Sequence, residues 1–526
     1  MSGPSGAALL STSKPAAPHL HESIDGRPSS FVAWWRSISP VDLAITLAFA
    51  FVLIVQISRH DMWRDEIHSW GLVLASPSLT DLFGNLRYTG HPGLWYLLLW
   101  PVSAFTGSPY AVQVVHAAIA LLLIGAIGLF SPFSRLEKLL LLSSYFVLYE
   151  YTVISRNYGL GFLLALIYAE MRARRPERLY VNACLLGLLA NTNMFAFLLS
   201  GAFALEYLVE LWRRRGRALG AFVREALPPA LVYAVLALGA AATMWPSRDI
   251  SWRTTGEPLA QAFDPVRLIA MVAGNVESLL TIHPLYQWSS KAPSTIAAES
   301  AAALPVVAAL FFFIFRNNRQ LLIIPTLTAF GSIAADQLVY ANSMRHWGVN
   351  FIAFVATLWI YRVGNRERSY AALALLAVSA IAGIAISIQQ FPHTFSEGRH
   401  TAEWLRDNGY ADAALVGTPD TLTMVVAQYL GKPIYQLDCS CTDTYLFYSK
   451  RRDAFDQKQI PERLATALHD VARPGRTIIF LIPHPLSDKE LADYRAHGVA
   501  ATKLAAFDQA MTDENFFVYR VEPAPA

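Results

Sequence analysis

Charged residues are scarce in this chain of 526 residues. Lysine, arginine, aspartate and glutamate make up 15% of it, against about 25% in soluble domains, while 54% of the residues are hydrophobic. The net charge of +3 is carried by short basic clusters between apolar stretches, which argues against a nucleic-acid partner. The composition predicts a protein that crosses a membrane many times.

Cysteine is rare as well, and the N-terminal region has no apolar run of the signal-peptide type. We interpret Cys439 and Cys441 as two structural thiols on a strand, because a bridge so tight is strained and a metal site needs further ligands. Residues 1–38 are expected to be a disordered cytoplasmic tail. The first long apolar run then forms an uncleaved first membrane helix.

Apolar runs recur through residues 39–390, the expected transmembrane domain. A span needs roughly 20 apolar residues, so about eleven crossings are expected. A shorter segment, residues 92–105, begins at a proline and is expected to be a re-entrant or juxtamembrane helix. The predicted spans are residues 41–58, 110–130, 139–154, 159–171, 180–190, 195–212, 227–245, 301–315, 321–335, 347–361 and 370–389.

The composition changes near residue 391 to that of a soluble domain. Strand-like and helix-like patterns then alternate, which favours a small α/β domain with a partly parallel sheet over residues 391–526. Helices are predicted near residues 402–408, 421–430 and 488–497. Strands are predicted at residues 413–416, 477–482 and 516–521. The predicted fold class is therefore a mainly α polytopic membrane protein with a small soluble α/β C-terminal domain.

The most unusual polar stretch lies just after the first apolar run and reads MWRDEIH at residues 62–68. Ionisable groups at a membrane boundary are functional candidates. Asp65 and Glu66 are neighbours, so on a helix they point about 100° apart and do not share one role. We interpret Asp65 as a general base and Glu66 as a group that supports it or orients the substrate. The alternative is a solvated loop held by Arg64.

Cationic and aromatic side chains are predicted on the same side of the membrane. His91 is expected either to cap a helix opened by a proline or to orient a phosphate or hydroxyl group. Arg156 and Tyr158 lie between two apolar spans where the topology rule disfavours arginine, so an anionic partner is expected, either a loop carboxylate or a lipid phosphate. Arg345 and His346 repeat this arrangement at the outer end of a later span.

A long outer loop, residues 246–300, supplies further candidates. It mixes aromatic and cationic side chains, which suits contact with a lipid headgroup or a sugar, although an ordinary aromatic belt has the same composition. We include Arg253 and Lys291 from this loop among the predicted substrate-binding residues.

The order of these motifs resembles the GT-C superfamily of integral-membrane glycosyltransferases. The resemblance covers roughly residues 41–389 and rests on the acidic pair at 65–66, HPGLWY at 91–96, SRNY at 155–158 and the basic pair at 345–346. The broad group includes protein O-mannosyltransferases and the enzymes that add aminoarabinose to lipid A. These motifs are moderately specific only when taken together, in this order.

The resemblance implies an inverting transfer of a sugar from a polyprenyl-phosphate donor to a lipid, glycan or protein acceptor at the outer face of a cell membrane. A lipid phosphate is a good leaving group, so one base and a few cations suffice. No cofactor is required, although Asp65, Glu66 and His68 or His91 offer ligands for a divalent metal. The alternative is a transporter or flippase of a lipid-linked saccharide, which usually shows paired repeats and polar breaks near the bilayer centre.

The arginine clusters predict that the N terminus is cytoplasmic and that the C-terminal domain lies outside, because loops rich in lysine and arginine stay in the cytoplasm. A reporter that works only outside the cytoplasm, fused after Ala526, is expected to be active. Activity from a reporter that works only in the cytoplasm, at the same position, would overturn this topology.

Overall fold

A computed structural model describes residues 38–216, 218–250, 265–281, 300–338, 343–365, 367–449, 456–471 and 473–525. Residues 41–526 form one compact unit. This unit is mainly helical and carries a six-stranded sheet near its C-terminal end. The predicted fold class, a polytopic helical protein with a small α/β domain at the C terminus, is confirmed.

The helices follow most of the apolar runs closely, because hydropathy is a local property of the chain. The predicted span 139–154 is not one helix, since a helix ends at Leu142 and a separate π-helix covers Phe146–Glu150. Among the residues that the structure describes, six helices are long and apolar enough to cross a membrane, while the prediction of about eleven crossings stays a prediction. Four helices were not predicted: Arg64–Leu74, Leu79–Asn85, Pro265–Leu280 and Met344–Trp347. The helices before residue 391 are α1 Pro40–Arg59, α2 Arg64–Leu74, α3 Leu79–Asn85, α4 Leu94–Ser103, α5 Tyr110–Gly125, α6 Arg135–Leu142, α7 Asn157–Arg174, α8 Leu179–Ala190, α9 Met194–Arg214, α10 Leu219–Met244, α11 Pro265–Leu280, α12 Leu304–Ile314, α13 Ile323–Leu338, α14 Met344–Trp347, α15 Val349–Gly364 and α16 Tyr370–Gln390.

The C-terminal region is a sheet with helices on both faces. Its strands are β1 Ala414–Gly417, β2 Ile434–Gln436, β3 Cys441–Asp443, β4 Ile478–Ile482, β5 Val499–Phe507 and β6 Phe516–Pro523. Its helices are α17 Gly398–Asp407, α18 Asp420–Leu430, α19 Ile460–Val471 and α20 Asp488–Ala496. The strand order is β3-β2-β1-β4-β6-β5, with β1 parallel to β2 and β4 and the other pairs antiparallel.

The partly parallel sheet matches the prediction. All five residues of β4 are buried, as expected for a central strand that is covered by helices on both faces. The three predicted strands and three predicted helices are all present, shifted by a few residues at most of their ends. The prediction omitted β2, β3, β5 and α19.

The prediction of two separate thiols in this region is wrong. Cys439 and Cys441 are joined in a disulfide. Between them Ser440 adopts a left-handed backbone conformation with φ of 50°, which turns the chain so that the two Cα atoms lie 5.2 Å apart. This separation falls within the range that a disulfide spans.

The helical part and the C-terminal region share one hydrophobic core. Met424 and Val425 of α18, together with Tyr445, are buried in the same cluster as Trp70 of α2. Packing of this kind fixes the C-terminal region against α2, the short helix in which the acidic pair is found.

Candidate active site

The acidic pair lies in the first turn of α2, directly after Trp63 at the N-cap. Asp65 opens into a cavity of about 240 Å³. Glu66 is fully buried on another face of the helix. The two carboxylates therefore point in different directions, as neighbours on a helix must.

The cavity, called here the carboxylate cavity, draws its walls from distant parts of the chain. Its lining combines one carboxylate, two arginines, three histidines and several hydroxyl groups: Asp65, His68, Thr89, His91, Tyr96, Arg156, Arg345, His346 and Tyr448.

Two arginines hold the Asp65 carboxylate. Arg345 Nη2 lies 2.7 Å from Asp65 Oδ2, and Arg156 Nη1 lies 3.7 Å from the same oxygen. Arg156 Nη1 also donates a hydrogen bond to the main-chain carbonyl of Asp65. The side chains of all three residues are partly exposed. The three residues form a compact cluster with one carboxylate and two cations.

The charges in this cluster determine its protonation. Burial alone would raise the pKa of Asp65, but Arg345 and Arg156 outweigh it, so the net shift is downward. Burial lowers the pKa of Arg156, and Asp65 reverses this effect, so the net shift is upward. Asp65 is thus ionised and Arg156 charged at physiological pH.

His91 is next to Arg156 at the rim of this cluster. Arg156 Nη2 lies 3.3 Å from His91 Nε2, so a neutral imidazole would accept the hydrogen bond. Burial, reinforced by the positive charge of Arg156, lowers the pKa of His91 to about 3, which keeps the ring neutral. The helix α4 begins at Leu94 with Gly93 at its N-cap, so the predicted capping role of His91 is wrong.

Glu66 acts as a buried anchor. Its Oε2 lies 2.8 Å from His60 Nε2 and accepts the Trp63 amide at 3.2 Å, while its Oε1 accepts the Ser155 amide at 2.5 Å. Ser155 precedes Arg156, so this carboxylate ties the loop of Arg156 to the helix of Asp65. It does not line the carboxylate cavity.

The other predicted residues divide into three groups. His346 lines the cavity, with its ring stacked 5.0 Å from Phe195. Tyr158 is buried behind the cavity wall, where it stacks on Tyr151 at 5.5 Å. Arg253 and Lys291 lie outside the described residues.

Sequence reasoning did not assign the tyrosines of this cavity. Tyr96 is the last residue of the HPGLWY motif, so the motif itself is the signal that indicates it. Tyr448 comes from the C-terminal region and stacks on His68 with ring centroids 4.5 Å apart, while Tyr445 Oη lies 2.9 Å from His68 Nε2. No local pattern around residue 448 signals this contact.

The metal ligands suggested by the sequence are brought together only in part, because Asp65, His68 and His91 line the carboxylate cavity and Glu66 does not. Glu66 is engaged with His60 and two main-chain amides, and Asp65 is engaged with two arginines. Among the residues that the structure describes, no group of three histidine, cysteine, aspartate or glutamate side chains is arranged to hold a metal ion. The residues present do not fit a metal centre in the carboxylate cavity.

A second buried carboxylate anchors α2 from the C-terminal region. Glu514 Oε1 accepts the amide of Arg64, the first residue of α2, at 2.8 Å, and its Oε2 accepts the Ser396 hydroxyl at 2.6 Å. Arg64 also pairs with Asp513 at 2.7 Å. A carboxylate at a helix N terminus satisfies an amide that has no partner within the helix.

No protein-family model matches the chain, and no curated protein matches it. Two crystal structures of ArnT from Cupriavidus metallidurans are similar, one bound to undecaprenyl phosphate and one in the apo state. Both are 14% identical, cover 93% of this chain and 98% of ArnT, and have TM-scores of 0.37 and 0.38. At these TM-scores the likeness assigns no function, which has to be argued from the site.

The Glu514 anchor predicts a pH-dependent stability. Burial raises the pKa of Glu514 from 4.5 to about 8 against the opposing charge of Arg64. The folded protein therefore holds a proton that the unfolded chain releases, so stability falls as pH rises from about 4.5 to 8. Glu514→Gln does not titrate. We expect the Tm of the wild type, measured in detergent, to fall by a few degrees relative to the Tm of Glu514→Gln as the pH rises across this range.

The control is Glu522→Gln, which removes an exposed carboxylate from β6. It should leave the pH profile of the wild type unchanged. A Tm difference between the wild type and Glu514→Gln that stays constant with pH would contradict the raised pKa.

Proposed function

We propose that this protein is a membrane glycosyltransferase of the GT-C type. It moves a sugar from a polyprenyl-phosphate donor to a lipid, glycan or protein acceptor at the outer face of the cell (inner) membrane. In a single displacement, an acceptor oxygen or nitrogen attacks the anomeric carbon. The bond from that carbon to the phosphate oxygen breaks, and the acceptor's proton passes to Asp65.

The observation that carries the proposal is the cluster of Asp65, Arg156 and Arg345 in one cavity. A sugar linked to a lipid phosphate has a good leaving group, so the reaction needs a base for the acceptor and cations for the departing phosphate. The cluster offers both within a few ångströms. Two arginines are better suited than lysines, since their planar donors match two phosphate oxygens.

The charge balance of the cluster suggests how the base becomes active. While both arginines face Asp65, its pKa is low and it is a poor proton acceptor. A donor phosphate competes for the same cations, which weakens their hold on Asp65 and raises its proton affinity. Binding of the donor would therefore prepare the base for the acceptor. The neutral His91 keeps Arg156 in position by accepting its second donor.

The outer location of the site has two supports. Arg156 and Arg345 lie at the ends of apolar helices where the sequence predicts the outer side, and arginine is disfavoured there without an anionic partner. The disulfide between Cys439 and Cys441 is also typical of an oxidising compartment.

Replacing Asp65 by asparagine should abolish sugar transfer in a folded protein. Asparagine has nearly the same shape but cannot take up the proton, so we expect a loss of at least about 100-fold. The measurement is mass spectrometry of lipid-linked sugars and envelope glycans in a deletion strain that carries the wild type or the variant.

Glu66→Gln is the matched control at the neighbouring position. It removes the charge from the buried contacts with His60 and the two amides, so the main expected effect is a lower Tm. Near-normal glycan levels with Asp65→Asn at wild-type protein abundance would require a different base and would refute the assignment.

The arginines should determine the affinity for the donor phosphate. Arg156→Lys keeps the charge but loses the planar pair of donors, so binding of undecaprenyl phosphate in detergent should weaken about tenfold or more, as with Arg156→Ala and Arg345→Ala. Arg87→Gln is the control, since this exposed arginine donates to the Trp245 carbonyl outside the cavity.

A purely structural ion pair gives a different pattern. Loss of Arg156 or Arg345 would then lower the Tm, while the protein that remains folded would bind undecaprenyl phosphate with unchanged affinity. That result would remove the phosphate-binding role from both arginines.

A further inference from the structure

A second cavity, with a polar lining, lies where α1 and α16 end. It has a volume of about 280 Å³ and is bordered by the last turns of α1 and α16, the linker after α16 and the first turn of α17. We call it the boundary cavity. Its lining is Gln56, Ser58, Arg59, Asp61, Ser387, Gln390, Phe391, Pro392, His393, Thr394, Arg399 and His400. None of these residues lines the carboxylate cavity.

The two helices below the boundary cavity expose apolar side chains. Phe51 and Ile54 of α1 are exposed roughly one turn before the cavity residues, and Ile384 and Ile388 of α16 are exposed at a corresponding level. Both helices are long and apolar enough to span a membrane. A polar cavity next to exposed apolar surfaces matches the polar headgroup and the apolar acyl chains of a membrane lipid.

The charges of the boundary cavity favour an anion. Asp61 is balanced by Arg399, whose Nε lies 2.6 Å from its Oδ1. His400 Nδ1 lies 2.8 Å from Glu397. Arg59 stacks over the ring of Phe391 at 4.1 Å and has no acidic partner among the described residues. The cavity thus keeps one uncompensated arginine at a membrane boundary.

Two polar atoms in the membrane-side wall also lack partners. Gln56 Oε1 and Ser387 Oγ are buried, and neither has a hydrogen-bond partner within the described part of the chain. Buried polar atoms are nearly always satisfied, so such atoms in a cavity wall indicate a ligand or water. An amide oxygen accepts and a hydroxyl donates or accepts, which suits the hydroxyl groups of a headgroup.

We propose that the boundary cavity binds the phosphate-bearing, hydroxylated headgroup of an anionic membrane lipid. The phosphate lies against Arg59, the headgroup hydroxyls reach Gln56 and Ser387, and the acyl chains cover the exposed apolar side chains of α1 and α16. The volume is near the lower end of the roughly 300–1,000 Å³ of small-molecule pockets, so it holds a headgroup and leaves the chains outside. The inference requires only that α1 and α16 cross the membrane, and it does not depend on sugar transfer.

The test measures lipid binding to the full chain in detergent by native mass spectrometry. The probes are phosphatidylglycerol, phosphatidylcholine, diacylglycerol and inorganic phosphate. Phosphatidylglycerol should bind most tightly, because it alone combines net negative charge, free hydroxyls and acyl chains. Arg59→Gln and Ser387→Leu should each weaken its binding about tenfold, the first by removing the cation and the second by filling the cavity.

Arg406→Gln is the matched control, since it removes an exposed arginine of α17 that does not line the boundary cavity. It should bind phosphatidylglycerol like the wild type. Unchanged affinity in Arg59→Gln would overturn the proposal, and so would equal affinity for diacylglycerol. Inorganic phosphate that binds as tightly as phosphatidylglycerol would assign the cavity to free phosphate and exclude the lipid. If Ser387→Leu does not fold, the test rests on Arg59→Gln, whose Tm should equal that of the wild type.

Discussion

Two buried carboxylates fix the short helix that carries Asp65, and the geometry of the candidate site depends on them. Glu66 joins the start of α2 to the amide of Ser155, the residue before Arg156. Glu514 joins the same helix end to the C-terminal region through the Arg64 amide. Without these bonds the N-terminal amides of α2 would be buried and unsatisfied, at a cost of roughly 1–3 kcal/mol for each group. The cavity therefore needs both the helical part and the C-terminal region.

The C-terminal region has a clear structural role in this arrangement. It supplies Glu514 to α2 and Tyr448 to the cavity wall, and Tyr445 holds His68. All three contacts reach the same short helix or its cavity. A domain that was merely attached to a membrane protein would not need to place a buried carboxylate under the helix of the proposed base.

The sequence predicted the parts of the molecule that depend on local patterns. Apolar runs located α1 and α16 almost to the residue, and the strands β4 and β6 were recognised because their apolar residues are contiguous. The arginine at position 156 was expected to have an anionic partner, since the topology rule disfavours it there, and Asp65 is that partner. These inferences succeed because hydropathy and charge asymmetry are local properties of the sequence.

Contacts between distant segments were not predictable in the same way. Glu514 lies 450 residues from the amide it accepts, and its neighbours in the sequence resemble an ordinary polar turn. The strand β5 was missed because four of its nine residues are alanine and one is lysine, two residue types that are depleted in strands. Glu66 and Asp65 could be separated in role from helix geometry, but which one faces the cavity depended on packing against Ser155.

A chain of hydrogen-bonded side chains runs from the boundary cavity to the buried anchor Glu66. Gln390 lines the boundary cavity and lies 3.3 Å from His60 Nδ1, and His60 in turn contacts Glu66. Both oxygens of Glu66 are already engaged with buried groups, so this chain has little freedom to rearrange. A lipid in the boundary cavity would thus rest against a rigid wall. Loss of this lipid is not expected to move Asp65. If transfer nevertheless changed with the lipid, His60 offers a route for the coupling, because it hydrogen-bonds to both Gln390 and Glu66.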